Sequence, residues 1–527
     1  MAPLHLLLVA LVARHAQGTL FPGGQIDLFD WSTIKPSRDL VYTDCMDGMK
    51  CARLLAPLDW SKHGDSPCGL GSLDTNNSVA IAIVTLPASV PESDESFGGS
   101  VLWNPGGPGG MATLRAKDTN RFYQDMLDGT KHYEIIGFDP RGVGASTPQI
   151  KSKTAESISP RHGRAALATQ FEQQAAIGEI CMEAGPDSIH AHSGTASAAR
   201  DMLHIVDKVE EERISRLGSD YVPAYDKPRL QYMGASYGTG LGSYFASMFP
   251  GRVARMLLSG ILDSELHRYG KGFDILPDTE AAIEYVYEHC FETSCLFSND
   301  SDTGPEDIKA RVQAALDWLD GTPVLVADIV ARDVSSQGTI FSSWDFDEET
   351  GSWLDIPFTW SHDAATVISC LDMHARKPEM DLDWAYERYK AMEAESPTAA
   401  EFRYLMHMRC ARWTITPAYD FQEPFGAPPP EPDLAPDAPA APLFLLNARL
   451  DPTTPLVSAW TTSRLYPNSS VMIIEMAGHD NFERADDCVF DAARAYFDDG
   501  VVPPNGTICQ PAPYTGGQQS DVFRALL

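Results

Sequence analysis

Leu230-Gln231-Tyr232-Met233-Gly234-Ala235-Ser236-Tyr237-Gly238 is the stretch on which the fold of this chain turns. An apolar run at 230–233 stops at a glycine, and a segment rich in glycine and serine continues with helical composition to 249. Strand, sharp turn and helix form the setting in which G-x-S-x-G becomes a nucleophile elbow. Small residues flanking the serine let the backbone turn tightly, and the turn lifts the hydroxyl above the sheet edge. A pattern this short also arises by chance, so its weight comes from what stands downstream.

Two partners follow in order. Asp451 lies just after the apolar run 443–446, within Asn447-Ala448-Arg449-Leu450-Asp451-Pro452, and His479 lies after 471–474, within Ala477-Gly478-His479-Asp480. Singly, each reads equally well as a surface-loop aspartate or a hydrogen-bonded loop histidine. An acid after one strand and a histidine after the next, both downstream of the serine, give the order Ser, Asp, His expected of α/β-hydrolases. A serine hydroxyl is a poor nucleophile until a neutral imidazole accepts its proton. The carboxylate then fixes the imidazole tautomer and stabilises the imidazolium that forms.

A third element is Asn104-Pro105-Gly106-Gly107-Pro108-Gly109-Gly110, directly behind Ser100-Val101-Leu102-Trp103. Besides an ordinary turn, such a loop can present backbone N–H groups to a developing oxyanion, with the Tyr237 N–H as second donor. A nucleotide site is a poor reading, because the run lacks the Lys-Ser/Thr of a phosphate-binding loop. Gly142-Val143-Gly144 lacks the third glycine of a dinucleotide fingerprint.

Residues 4–13 form an apolar run too short to span a bilayer, with Ala16 and Gly18 as small residues suited to cleavage, so 1–18 is expected to be a secretory signal. No other stretch approaches the ~18 apolar residues of a membrane span. Sequons at Asn76, Asn299, Asn468 and Asn505 suit a secreted glycoprotein, and ten cysteines suit an oxidising compartment. Cys45 with Cys51, Cys290 with Cys295, and Cys488 with Cys509 are candidate local disulfides. Cys370 with Cys410 is a candidate staple between two helices, which leaves Cys68 and Cys181; spacing alone does not fix connectivity. No C-x-x-C pair occurs, and His190-Ala191-His192 reads as a polar loop rather than a ligand pair, so no metal site is expected. The net charge of −33, from 73 acids against 40 bases spread along the chain, argues against nucleic acid or an anionic membrane as partner.

Apolar runs at 79–86, 101–103, 133–138, 230–233, 255–261, 443–446 and 471–474 read as buried strands, with helical patterns at 196–209 and 240–249 between them. Alternation of this kind predicts a mostly parallel sheet with helices on both faces. Between 263 and 422 amphipathic helices dominate, at 279–290, 305–319, 363–376, 384–394 and 399–410. In the second of these, Ile308, Val312, Ala315, Leu316 and Leu319 share one face behind Pro305. This block is expected to be an inserted helical lid, leaving through a Pro/Ala-rich linker of restricted flexibility.

Taken together, these motifs resemble the secreted prolyl and tripeptidyl aminopeptidases of the α/β-hydrolases. The residues that carry the resemblance are 104–110, the run Gly137-Phe138-Asp139-Pro140-Arg141-Gly142-Val143-Gly144, and Gly234-Ala235-Ser236-Tyr237-Gly238-Thr239. Asp451-Pro452-Thr453-Thr454-Pro455 through Gly478-His479 to Gly506-Thr507-Ile508-Cys509 is similar to the TAP-like C-terminal module. Cys51-Ala52-Arg53-Leu54 with Pro57-Leu58-Asp59 is similar to the group's entrance segment.

With the signal segment at 1–18, the expected division is an α/β-hydrolase core at 19–263 and 443–527, interrupted by a helical lid at 264–426 and a linker at 427–442; the resemblance covers most of the mature chain except the lid. The resemblance implies Ser236 as nucleophile, His479 as general base and acid, Asp451 as its orienter, and Gly107 and Tyr237 as oxyanion donors. Reaction would run through an acyl-enzyme without a cofactor, releasing short peptides or single residues from free N-termini. An exopeptidase needs an anion for the substrate's ammonium group, and Asp263 and Glu265, just behind the strand after the nucleophile helix, are the candidates; the alternative for both is a solvated loop. Met111 after the glycine loop and Asp480-Asn481 after the histidine depart from the group's pattern and bear on pocket shape. The competing readings are a hydrolase of the same fold acting on an ester, lactone or amide of a small metabolite, and an inactive binding protein on that scaffold. Retention of all three triad residues argues against the latter.

Overall fold

A computed structural model describes residues 29–512, apart from 63–76, 151–162, 184, 186, 272–275, 294, 296, 322–344, 348–351, 355–361, 375–379, 412, 427–440, 480, 481 and 483. The expected signal segment, Asn76, Cys68 and most of the expected linker therefore lie outside the described residues. Two compact units are present: Phe29–Thr279 with Thr359–Pro513, and a second that includes Glu280–Phe358. The expected insertion is thus divided between them.

In chain order the first unit begins with β1 (Thr43–Asp44), β2 (Lys50–Pro57), β3 (Ser78–Leu86), β4 (Phe97–Asn104), α1 (Ala112–Leu127) and β5 (His132–Phe138). It continues through α2 (Arg164–Glu183), α3 (Thr195–Leu217), β6 (Leu230–Ala235), α4 (Tyr237–Met248), β7 (Val253–Ser259) and the short α5 (Ser264–Arg268). In the second unit are α6 (Thr279–Thr293), α7 (Pro305–Gly321) and an antiparallel strand pair, β8 (Asp345–Asp347) and β9 (Ser352–Leu354). The chain returns to the first unit with α8 (His362–Asp372), α9 (Leu382–Glu395), α10 (Ala400–Met408), β10 (Phe444–Leu450), α11 (Leu456–Ser463), β11 (Ser470–Ala477), α12 (Asp487–Asp499) and β12 (Thr507–Cys509).

The apolar runs become the middle of a ten-stranded sheet, ordered β1-β2-β3-β5-β4-β6-β7-β10-β11-β12. Pairing is parallel from β5 through β4, β6, β7, β10 and β11 to β12, and antiparallel among β1, β2, β3 and β5. Because side chains alternate across a strand, each central strand feeds two cores. Leu102, Tyr232, Leu258, Leu445 and Ile473 join one, with Leu203 and Ile205 of α3 and Leu241 and Phe245 of α4. Trp103, Met233, Leu257, Leu446 and Ile474 join the other, with Tyr123 and Met126 of α1 and Val489 and Phe497 of α12. Such burial on both faces explains why these strands read as continuous apolar runs. A third cluster joins Leu167 and Phe171 of α2 to Tyr389 and Met392 of α9 and Tyr404 and Met408 of α10. Insertion helices α9 and α10 thus pack on α2, whereas α8 contributes Val367, Ile368 and Leu371 to the first core.

The candidate disulfides Cys45–Cys51, Cys290–Cys295, Cys370–Cys410 and Cys488–Cys509 are formed. Cys370–Cys410 ties α8 to the end of α10. Cys181 is buried and bonded to no described cysteine.

The run 137–144 proves to be a structural clasp. Asp139 is buried and accepts from Thr113 N at 3.0 Å, Thr113 Oγ1 at 2.7 Å and Ala145 N at 2.8 Å. Arg141 is fully buried and all five of its N–H groups are satisfied. Nε and Nη2 reach the Asp201 carboxylate at 2.7 and 2.6 Å, and the remaining donors reach the carbonyls of Pro57, Leu58 and His192. Trp60 Nε1 adds a third donor to Asp201 at 2.9 Å. Removing one partner of such a pair leaves an uncompensated buried charge. Asp201→Ala is therefore expected to destabilise the fold by about 3–5 kcal/mol, read as a lower denaturant midpoint. A midpoint within experimental error of the parent would contradict this role.

Candidate active site

Ser236 occupies the single residue between β6 and α4, at φ 53° and ψ −124°. A non-glycine residue holds such a conformation only where its surroundings over-determine it. Here the Ser236 N–H donates to Ser259 O of β7 at 2.9 Å. Its carbonyl accepts from Thr239 N at 2.8 Å and Thr239 Oγ1 at 2.6 Å. The flanking glycines are required by close approach. A Cβ on Gly234 would fall 2.5 Å from Gly238 O, and one on Gly238 would fall 2.6 Å from Asn104 O.

The glycine loop after β4 lies on this turn. A Cβ on Gly106, at φ +95°, would come within 2.4 Å of Ala235 O, 2.9 Å of Ser236 Cβ and 3.1 Å of Tyr237 N. Asn104 Oδ1 accepts the Gly106 N–H at 2.9 Å, and Gly110 N closes on Gly106 O at 3.0 Å, which shapes the loop around Gly107. Tyr237 is the first residue of α4, so its N–H has no acceptor within the helix. Met111 stands immediately before α1 and packs against the first core, whereas Asp480 and Asn481 lie outside the described residues.

Asp451 and His479 are brought together from the ends of neighbouring parallel strands. His479 Nδ1 lies 3.0 Å from each Asp451 oxygen. Asp451 is 1% exposed, and its Oδ1 also accepts from Thr453 N and Thr454 N, each at 2.8 Å. Thr454 Oγ1 donates to Asp451 Oδ2 at 2.8 Å and stands 3.1 Å from His479 Nδ1. A carboxylate so surrounded fixes the Nδ1–H tautomer and leaves Nε2 as the accepting nitrogen. Gly478 N bonds Leu450 O at 3.0 Å, aligning the two strand ends. A Cβ on Gly260 would lie 3.1 Å from His479 Cε1 and 3.2 Å from Thr454 Oγ1. Gly260 follows Ser259, the acceptor of the Ser236 N–H, so all these groups sit at one end of the parallel strands.

Asp263 and Glu265 have local partners. Asp263 is the N-cap of α5, accepting from Leu266 N at 2.9 Å; burial raises its pKa, opposed by backbone hydrogen bonds from Leu266 and Glu265. Glu265 pairs with Arg268 at 2.5 Å, and its side chain is 37% exposed. Of the sequons, Asn299, Asn468 and Asn505 are exposed.

Sequence reading passed over three groups that support the acid. Thr454 is the first. The second is buried Asn447, whose Oδ1 accepts from Ile261 N at 2.9 Å while its Nδ2 donates to Thr454 O at 3.0 Å. A polar residue inside an apolar strand run was the available signal for it. The third is Arg403 of α10, buried, donating to Pro452 O at 2.7 Å; burial lowers its pKa to about 10 against the pull of the Asp451 charge. Nothing local in the sequence links Arg403 to the Asp451 loop. As for metals, Asp486, Cys488 and Cys509 converge among the described residues, but the two cysteines are bonded to each other. No helix among the described residues is long and apolar enough to cross a membrane.

The family model described as TAP-like protein matches residues 396–509, a span that contains Arg403, Asp451, Thr454 and His479. Serine protease Hip1 of Mycobacterium tuberculosis is 23% identical, over 91% of this chain and 90% of its own length. Carboxylesterase B of the same species is 25% identical, over 88% and 86%. Tripeptidyl aminopeptidase of Streptomyces lividans is 26% identical, over 44% of this chain and 37% of its own.

Proposed function

We propose, from the premise that this chain is a serine hydrolase of the TAP-like α/β-hydrolases, that it is a secreted exopeptidase cutting short peptides or single residues from free N-termini. The observation that carries the hydrolytic part is the His479–Asp451 pair, at the same end of the parallel strands as a serine in a strained turn with a glycine loop lying on that turn. In the proposed reaction His479 Nε2 takes the Ser236 proton as Oγ attacks the carbonyl. The Gly107 and Tyr237 amides hold the oxyanion, His479 protonates the leaving amine, and water completes deacylation. Asp451 holds the tautomer throughout. Asp451→Asn would favour the wrong tautomer, and kcat is expected to fall by about 10⁴ with little change in folding. A loss below tenfold would remove Asp451 from this role.

The peptide part is supported by the Hip1 and tripeptidyl aminopeptidase relatives, and Carboxylesterase B keeps an ester, lactone or amide substrate as the second reading. The helices on either side of the second unit's segment, α5 and α8 to α10, would form the lid. Glu265, partly exposed, is the better candidate for a substrate ammonium; Asp263 is committed to its helix cap. Four disulfides and exposed sequons at Asn299, Asn468 and Asn505 support secretion and glycosylation.

Mass-spectrometric profiling against peptides with free and acetylated N-termini, with Ser236→Ala as control, tests the proposal. Release of short N-terminal fragments from free amines alone is the expected result. Labelling by a fluorophosphonate without cleavage of either set would overturn the peptidase and favour the second reading.

A further inference from the structure

Asp372 closes α8, is 6% exposed, and has no part in the reaction as proposed. Its carboxylate meets the start of α3 across the structure: Thr195 N donates to Oδ1 at 2.8 Å and Thr195 Oγ1 to Oδ2 at 2.5 Å. Gly194, the N-cap of α3, offers no side-chain cap, so an insertion residue 177 positions away supplies an acceptor for that helix's first turn. The N-terminal end of a 23-residue helix also favours a negative charge there. On its other side Thr195 Oγ1 lies 2.5 Å from the hydroxyl of Tyr237, the residue after Ser236. Thr195 has a single hydroxyl proton for these two neighbours. When it goes to the carboxylate, the Tyr237 O–H donates to Thr195, and the three groups form one directed chain. His267 Nε2 stands 3.8 Å from Asp372 Oδ2. Burial raises the Asp372 pKa to about 7, opposed by the two Thr195 donors.

Resting on the reading of Ser236 and Tyr237 given above, we infer that Asp372, Thr195 and the Tyr237 hydroxyl are a positioning chain through which insertion helix α8 holds the nucleophile turn and its oxyanion N–H in register. A buried phenol anchored at its far end restrains the backbone it hangs from. Tyr237 is 4% exposed, and its N lies 3.1 Å from where a Cβ on Gly106 of the glycine loop would stand. A donor displaced by a fraction of an ångström stabilises the transition state less while ground-state binding changes little. The chain should therefore act on kcat rather than KM.

The test is hydrolysis of p-nitrophenyl butyrate by the full chain, with kcat expressed per site titrated by a fluorophosphonate, so that unfolded protein drops out. Tyr237→Phe and Thr195→Val are each expected to lower kcat about tenfold, the loss of one hydrogen bond in a charge-terminated chain, with KM within about twofold. Thr195→Ser, which keeps the hydroxyl, should return kcat to within about threefold of the parent. The Thr195→Val/Tyr237→Phe double variant should be no slower than the slower single, because both cut the same chain. An unchanged kcat in Tyr237→Phe, or a double variant that multiplies the two losses, overturns the chain alone. A parent protein that the fluorophosphonate leaves unlabelled overturns the reading of Ser236 and the chain with it.

Discussion

Ser236→Ala is expected to abolish turnover, by about 10⁶ in kcat, while the protein stays folded. Both halves of that expectation follow from how the turn is held. The contacts that force φ 53° are backbone ones, the N–H to Ser259 O and the carbonyl to Thr239, and an alanine keeps them. What alanine lacks is the Ser236 hydroxyl, the proposed nucleophile. A further consequence separates strain from chemistry: glycine accepts a positive φ without penalty, so Ser236→Gly should be equally inactive yet more stable than Ser236→Ala by about 1 kcal/mol. Activity in Ser236→Ala within tenfold of the parent, measured on any ester or peptide the parent cleaves, would remove this serine from the mechanism.

His479→Ala is expected to cost about as much as losing the serine, and the double variant Ser236→Ala/His479→Ala no more than either alone, because the two act as one unit. The Asp451 carboxylate already holds the imidazole at Nδ1, which leaves Nε2 as the nitrogen able to accept a proton. Nothing else among the groups described around Asp451 can accept a proton from a hydroxyl: Thr454 is committed to the carboxylate, and Arg403 is a buried cation. Activity of the parent should fall on the acid side as the ring takes up a proton and ceases to be a base. A flat acid limb, or a His479→Ala variant that keeps more than a hundredth of parental kcat, would point to a different base.

The central strands were legible because each is buried on both faces. The runs 101–103, 230–233 and 471–474 therefore read as apolar without interruption, and the structure extends each by a few residues to β4, β6 and β11. Less legible were elements with mixed composition. Strand β2 carries Lys50, Arg53 and Pro57 and pairs antiparallel with β3 near the sheet's edge. Helix α1 buries Ala112, Ala116, Asn120, Tyr123 and Met126 within a sequence polar overall, and its buried asparagine accepts from Trp103 Nε1 at 2.6 Å. The loop at 137–144 drew notice as a motif, but its purpose as a clasp depends on Asp201, sixty positions from Arg141.

Sequence by itself determined the order of the chemistry. Ser236 behind β6, Asp451 behind β10 and His479 behind β11 are set by local patterns of apolar run and small-residue turn, which need no knowledge of distant contacts. Tertiary structure alone decided which distant groups support them. Arg403 meets the Asp451 loop, Asn447 joins two strand ends, and Asp372 reaches Thr195, because the fold brings together segments separated by seven to nearly two hundred residues. A buried charge or amide takes whatever partner the fold delivers, and no periodicity along the chain encodes that partner.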